Sequence, residues 1–272
     1  MMSILLLETA ALILCYMLLW WVIAMVVEDN GLADVAWGLG FVLIAWWEVF
    51  RVASDLVFVL AILVSCWGLR LSAYIALRNR RKGKEDWRYA AWREQWGKQA
   101  WWRSLAQVFL LQGLLLWLIS APLLVAAWCP ACPLETGWWT FPAVWIGFLL
   151  WLWGWIWESV ADWQLYRFKS RSGVQGWIYT GGLWKYSRHP NYFGELLCWW
   201  GIWICSLPAG GWWLGLLSPL LISWLLLRVS GVPMLESRYE TDETYRRYRQ
   251  STPAVFPDFR KILNPKRQSG VD

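Results

Sequence analysis

Long runs of uncharged apolar residues constrain this chain more than any other feature. Residues 3–27 hold one charged side chain, Glu8, and similar stretches recur around 104–127, 138–163 and 211–230. About 20 apolar residues is the length that crosses a bilayer as an α-helix, and hydrocarbon leaves a backbone few alternatives to helix. Charged residues make up only 16% of the chain, against roughly 25% in an average soluble domain. The sequence therefore predicts an all-α, polytopic membrane protein, read as a single membrane-embedded domain over residues 1–272. The opening stretch "MMSILLLETAALILCYMLLWW" has no basic leader region and no small-residue cleavage site, so it is expected to be a retained span.

Seven transmembrane helices are expected, near 3–27, 32–50, 55–78, 104–127, 138–163, 191–207 and 211–230. Basic residues orient them. The segment 78–103 holds nine Lys or Arg, 164–190 holds five, and Arg228 onward holds nine, leaving only Arg51 and Arg70 elsewhere. Lys and Arg collect on the cytoplasmic side of membrane proteins. This places the N-terminus outside and the C-terminus in the cytosol. The net charge of +6 calls for no nucleic acid, since anionic headgroups already attract such loops. Many of the 29 tryptophans suit interfacial belts. Cys129 and Cys132 form "CPAC" in an outer loop, where a local disulfide is permitted. With no second such pair and one histidine, no metal site is expected.

Ionisable groups inside spans are expensive and are functional candidates. They gather at the expected inner ends: Asp34, Arg70 (about 12 Å deep at 1.5 Å per residue), Glu158 and Asp162 on one helical face, and Arg228. Another group is "YSRHPNYFGE", with Arg188, His189, Asn191 and Glu195 around the sixth helix start. They either snorkel and pair at the interface or line a polar cavity open to the cytosol. For Arg70 and the two carboxylates the cavity is preferred. No phosphate-binding glycine loop is present, and "GLGFVL" at Gly38 lacks the third glycine of a dinucleotide fingerprint. A nucleotide would have to be held by side chains and by amides at a helix start, where Pro190 is also well placed.

"GGLWKYSRHPNYFGE" resembles the C-terminal signature of the steroid 5α-reductase superfamily, in its bacterial branch. "LADVAWGLGF", "WGLRLSAYIALRNRRKGKEDWRYAAWREQWG", "ESVADWQLYRFK" and "LESRYETDETYRRYRQSTPAVFP" resemble further blocks of that branch, in the same order. Together they span about residues 30 to 258. The resemblance implies a seven-helix reductase that takes NADPH from the cytosol and reduces a carbon–carbon double bond of a lipophilic enone, such as a sterol-like or isoprenoid lipid. It implies a cofactor-binding half near 138–260. There Asp162, Arg188, Asn191 and Glu195 match nucleotide contacts, and Glu158, Arg70, Asn79, Tyr186, His189 and Arg228 are further candidates. His189 is read as a cofactor contact and not a proton donor. By position Asp34 resembles the carboxylate that polarises the substrate carbonyl. Animal members pair it with a tyrosine on the third helix, where this chain has Trp67; either Tyr74, two turns on, or another hydroxyl substitutes, or the acid pair is absent and the substrate is not a 3-keto steroid. Asp34 could donate only as a neutral acid, and as a carboxylate it would pair with Arg70 and be structural. Because R-H-P-x-Y also occurs in isoprenylcysteine carboxyl methyltransferases, an S-adenosylmethionine-dependent methyltransferase is the alternative, and a membrane scaffold without chemistry is a third reading. Substrate identity and oligomeric state are not readable.

Overall fold

The computed structural model describes residues 2–128, 137–171 and 178–260. Among these it is helical, with no strand. Cys129 and Cys132 lie outside the described residues. Six helical stretches are long and apolar enough to cross a membrane: Ser3–Val27, Leu32–Arg51, Asp55–Lys82, Trp87–Ile119, Pro142–Lys169 and Trp212–Ser237. The stretch expected as a sixth span is also helical but has only 17 residues, Pro190–Ser206, about 26 Å at 1.5 Å per residue.

The chain divides into two compact units, Met1–Phe148 with Ile202–Ser218, and Leu149–Gly201 with Pro219 onward. In the first, α1 (Met2–Val27), α2 (Leu32–Arg51) and α3 (Asp55–Lys82) follow one another through short turns. Helix α3 starts on Ser54, whose side chain accepts from Val57 N, and stops at Gly83, which adopts φ +61 and returns its N–H to Asn79 O. The expected end at 78 was too early because four basic or polar residues continue the helix past its apolar part. Helices α2 and α3 touch backbone to backbone. A Cβ on Gly38 would lie 2.5 Å from Gly68 O, and one on Gly68 would lie 2.6 Å from Gly38 O. Small residues at such a crossing let two helices approach closely. Ser72 Oγ then donates to Val35 O at 2.8 Å and Tyr16 OH to Ala36 O at 2.8 Å. Phe41, Ile44, Leu60, Trp67 and Leu116 fill the core, and Trp67 meets Phe41 edge-on. Helix α1 leaves Leu7, Leu19, Val22 and Val26 exposed, an apolar surface that a bilayer covers.

The basic stretch 78–103, expected as a loop, contains α4 (Trp87–Trp96). Its Asp86 N-cap accepts from Arg88 N, satisfying one of the first-turn amides that no helical carbonyl reaches. After it, α5 (Ala100–Ser104) passes through a π-helical turn, Leu105–Leu110, into α6 (Leu111–Ile119). The expected helix 104–127 is interrupted at Ser120, whose carbonyl accepts from Leu123 N and Leu124 N. Helix α7 (Ala121–Trp128) follows, with Pro122 in its first turn, where a missing N–H does no harm.

The second unit is built on the greater part of α8 (Pro142–Lys169), from Leu149 onward, and of α9 (Pro190–Ser206), up to Gly201. They cross at Gly154 and Gly194: a Cβ on Gly194 would stand 2.6 Å from both the backbone N and Cβ of Glu158. The expected helix 211–230 is composite. It comprises α10 (Trp212–Gly215), α11 (Leu217–Trp224) and a π-helical turn, Leu225–Val229. Short α12 (Val232–Ser237) and polar α13 (Glu243–Ser251) complete the chain's described helices.

Candidate functional site

In the second unit the approach to α9 is made by a turn and a tail. Gly182 has φ +56, a conformation that favours glycine, and the next amide, Leu183 N, donates to Gln164 Oε1 at 2.9 Å. Trp184 Nε1 reaches Ala161 O on α8 at 3.1 Å. The segment after α13 then runs beside residues 186–189. Arg188 N donates to Pro253 O, His189 N to Ala254 O, and Asp258 N to Tyr186 O. Ser187 Oγ donates to Val255 O at 2.8 Å, and Tyr248 OH bonds the Trp184 carbonyl.

Arg188 makes four hydrogen bonds inside this frame. Its Nε lies 2.8 Å from Glu236 Oε1 and its Nη2 3.2 Å from Glu236 Oε2. Its Nη1 donates to Thr252 O at 2.5 Å and Arg249 O at 3.1 Å. His189 Nε2 contacts Glu236 Oε1 at 3.0 Å, and its ring stacks on Tyr192 at 5.2 Å. Arg188 and Glu236 are each 8% exposed. The geometry thus shows "R-H-P" as a joint between the start of α9, α12 and the C-terminal tail. Arg188 meets protein acceptors through all three of its nitrogens, and the amides of 188 and 189 are bonded to tail carbonyls.

Buried carboxylates and one amide also stand near the start of α9. Glu158 and Asp162 on α8 are 2% and 3% exposed, and Glu195 on α9 is also buried. Asn191 is half-buried, and its Oδ1 is buried with no hydrogen-bond partner among the described residues. A buried acceptor left unmatched costs about 1–3 kcal/mol, so Asn191 Oδ1 is suited to meet a donor from a ligand. Carboxylates and an amide oxygen take hydroxyl and carboxamide hydrogens, and they repel phosphate. Asn191 Oδ1 would fit a hydroxyl or carboxamide hydrogen of a nicotinamide nucleotide. Tyr186 is half-buried beside them in sequence, while Arg228, in the π-helical turn, and Lys185 are exposed.

The first unit has its own polar cluster at the start of α2. Asp34 Oδ2 lies 2.6 Å from Arg88 Nη2, and Asp34 Oδ1 accepts from Tyr89 OH at 2.5 Å. Arg78 Nη2 stands 4.0 Å away. Gln112 Nε2 in turn donates to the Tyr89 oxygen at 3.3 Å. These are the partners of a carboxylate. The expected ionic partner was Arg70 and the expected hydroxyl Tyr74, both half-buried on α3; the charge and the phenol found at Asp34 belong to α4. Asn79 Nδ2 holds Gly31 O at 3.5 Å, bracing the turn before α2. Glu85 accepts from Asn30 N at 2.7 Å and from Arg93 at 3.0 and 3.1 Å. Asp86 is bonded by Arg88 Nε and Lys82 Nζ, each at 3.0 Å. Burial pushes its carboxyl up, but the Arg88 and Lys82 charges and hydrogen bonds outweigh this and hold it well below the usual range.

Sequence reasoning missed Arg88, Tyr89 and Glu236. The first two stand in "KEDWRY", where Asp followed by an aromatic and basic run signals a capped helix start. Glu236 had only its own charge, at the end of a predicted span, as a signal.

A family model described as "Protein of unknown function (DUF1295)" matches residues 20–252. The match includes all the side chains of both clusters. No curated protein and no solved structure matches the chain.

Proposed function

We propose, from the premise that the chain belongs to the DUF1295 family, that it is an NADPH-dependent reductase acting on a lipophilic enone within the membrane. The observation that carries this reading is Asn191 Oδ1 at the start of α9, buried without a partner among the described residues. Asn191 would accept a hydroxyl or carboxamide hydrogen of the nucleotide, and the family resemblance assigns Asp162 and Glu195 to the same ligand. Arg188 holds that corner in place through Glu236 and the carbonyls of Thr252 and Arg249. The exposed cations Arg228 and Lys185 are available to phosphates, as point charges that neutralise without fixing geometry.

Bound NADPH would supply the hydride. Reduction of an enone also builds negative charge on the carbonyl oxygen, which needs a nearby donor. The reading includes seven spans, with α9 as the short sixth, the N-terminus outside and the cofactor site facing the cytosol of a bacterium.

A titration of the purified chain in lipid nanodiscs tests this. NADPH is expected to bind saturably, and Asn191→Ala or Glu195→Ala to weaken it at least tenfold, the equivalent of about 1.4 kcal/mol. Tight S-adenosylmethionine binding with no NADPH binding would move the chain to the methyltransferase reading.

A further inference from the structure

Glu236 is placed to do more than pair with arginine. Its Oε1 faces both Arg188 Nε at 2.8 Å and His189 Nε2 at 3.0 Å, and its Oε2 faces Arg188 Nη2 at 3.2 Å. Arg188 cannot leave this arrangement easily, because its Nη1 is tied to the carbonyls of Thr252 and Arg249. A carboxylate opposite two guanidinium nitrogens has no hydrogen to give. In the contact with His189 the imidazole must therefore be the donor, and its proton sits on Nε2. In a neutral ring that leaves Nδ1 as an acceptor. The parallel stacking of Tyr192 on the ring restricts the flip that would exchange the two nitrogens.

We propose that Glu236 is a positioning residue that locks His189 in the Nε2–H tautomer, so that Nδ1 accepts a hydrogen bond from a hydroxyl or amide N–H of the bound ligand and does not donate to a phosphate. The tautomer follows from contacts within the protein. Only the ligand half rests on the nucleotide reading, and it applies to any ribose-bearing ligand. Asn191 Oδ1, two residues on and buried without a partner among the described residues, is an acceptor too.

His189 is the only histidine in the chain, so ¹⁵N-histidine labelling of the full protein in nanodiscs gives a single imidazole spectrum. At pH 8 the wild type is expected to show a one-bond N–H coupling at Nε2 and none at Nδ1. Glu236→Gln, which can donate as well as accept, is expected to show both tautomers and to weaken NADPH about tenfold, the loss of one hydrogen bond. Added NADPH should shift the Nδ1 resonance, and inorganic pyrophosphate should leave it unmoved. A wild-type ring protonated at Nδ1, alone or together with Nε2, overturns the proposal, as does a pyrophosphate shift equal to that of NADPH. Should Glu236→Gln not fold, the wild-type spectrum alone decides the tautomer. If NADPH does not bind but the tautomer is as stated, the reductase reading falls. Adenosine, which carries the same ribose hydroxyls, then decides the ligand half.

Discussion

Removing the Arg188 side chain gives the sharpest energetic test of the joint at α9. Arg188 and Glu236 are each 8% exposed and share two hydrogen bonds at 2.8 and 3.2 Å. Arg188→Ala leaves a buried carboxylate with His189 Nε2 at 3.0 Å and Arg249 Nε at 3.6 Å, and it frees the carbonyls of Thr252 and Arg249. Breaking a buried pair in this way costs about 3–5 kcal/mol. The remaining partners favour the lower end, about 3 kcal/mol, which is more than a hundredfold in an opening equilibrium at 1.36 kcal/mol per tenfold. The exposed pair Arg246–Glu243, with Arg246 56% exposed, is the internal control at about 0–1 kcal/mol.

Trypsin cleavage at Arg246 and Arg247 reads the opening of the tail, since cleavage tracks the open population when closing is fast. Arg188→Ala is expected to speed cleavage about a hundredfold, and Glu243→Ala less than fivefold. Arg188→Met combined with Glu236→Leu should recover most of the loss, because an apolar replacement of a buried pair is often neutral. Equal cleavage rates for Arg188→Ala and Glu243→Ala would refute the reasoning.

Three further outcomes follow from named contacts. Gly194→Ala would press a methyl group onto the backbone of Glu158, 2.6 Å away, so it should lower stability by about 1–3 kcal/mol through overpacking and weaken NADPH; wild-type unfolding and binding would contradict this. Tyr89→Phe removes the phenol held by Asp34 and Gln112 and should lower stability by about 1 kcal/mol, the worth of one hydrogen bond; an unchanged unfolding midpoint would contradict this. Asp86 is held well below the usual carboxylate range, so its contribution is complete above about pH 4, its unfolded range. That contribution is lost only as pH falls through the depressed folded value. Hydrogen exchange in α4 should therefore show equal protection at pH 7 and pH 5, while Asp86→Ala loses about 1 kcal/mol there.

The membrane class and most helices were legible because a bilayer imposes a length and polarity on each segment that composition displays directly. Helix α4 was hidden by the same logic: its tryptophans and arginines resemble an interfacial loop until Asp86 is recognised as a cap. The break at Ser120 left no apolar gap to notice. At the sites, sequence found the carboxylates of α8 and α9 by their cost inside a span. It could not show that Arg188 faces Glu236, 48 residues away, since a long-range ion pair has no periodicity. For the same reason Asp34 was paired in expectation with residues of the neighbouring helix, when its arginine and phenol come from Arg88 and Tyr89.

The central claim is hydride transfer to a membrane lipid, and deuterium tracks it directly. The full chain in nanodiscs of bacterial lipid extract would be incubated with NADPH carrying deuterium at the transferable position, and the lipids read by mass spectrometry. The account predicts one neutral lipid heavier by a deuterium and a proton, present with wild type and lost with Asn191→Ala. Absence of deuterium from every lipid, with a methyl label from S-adenosylmethionine incorporated instead, would contradict it.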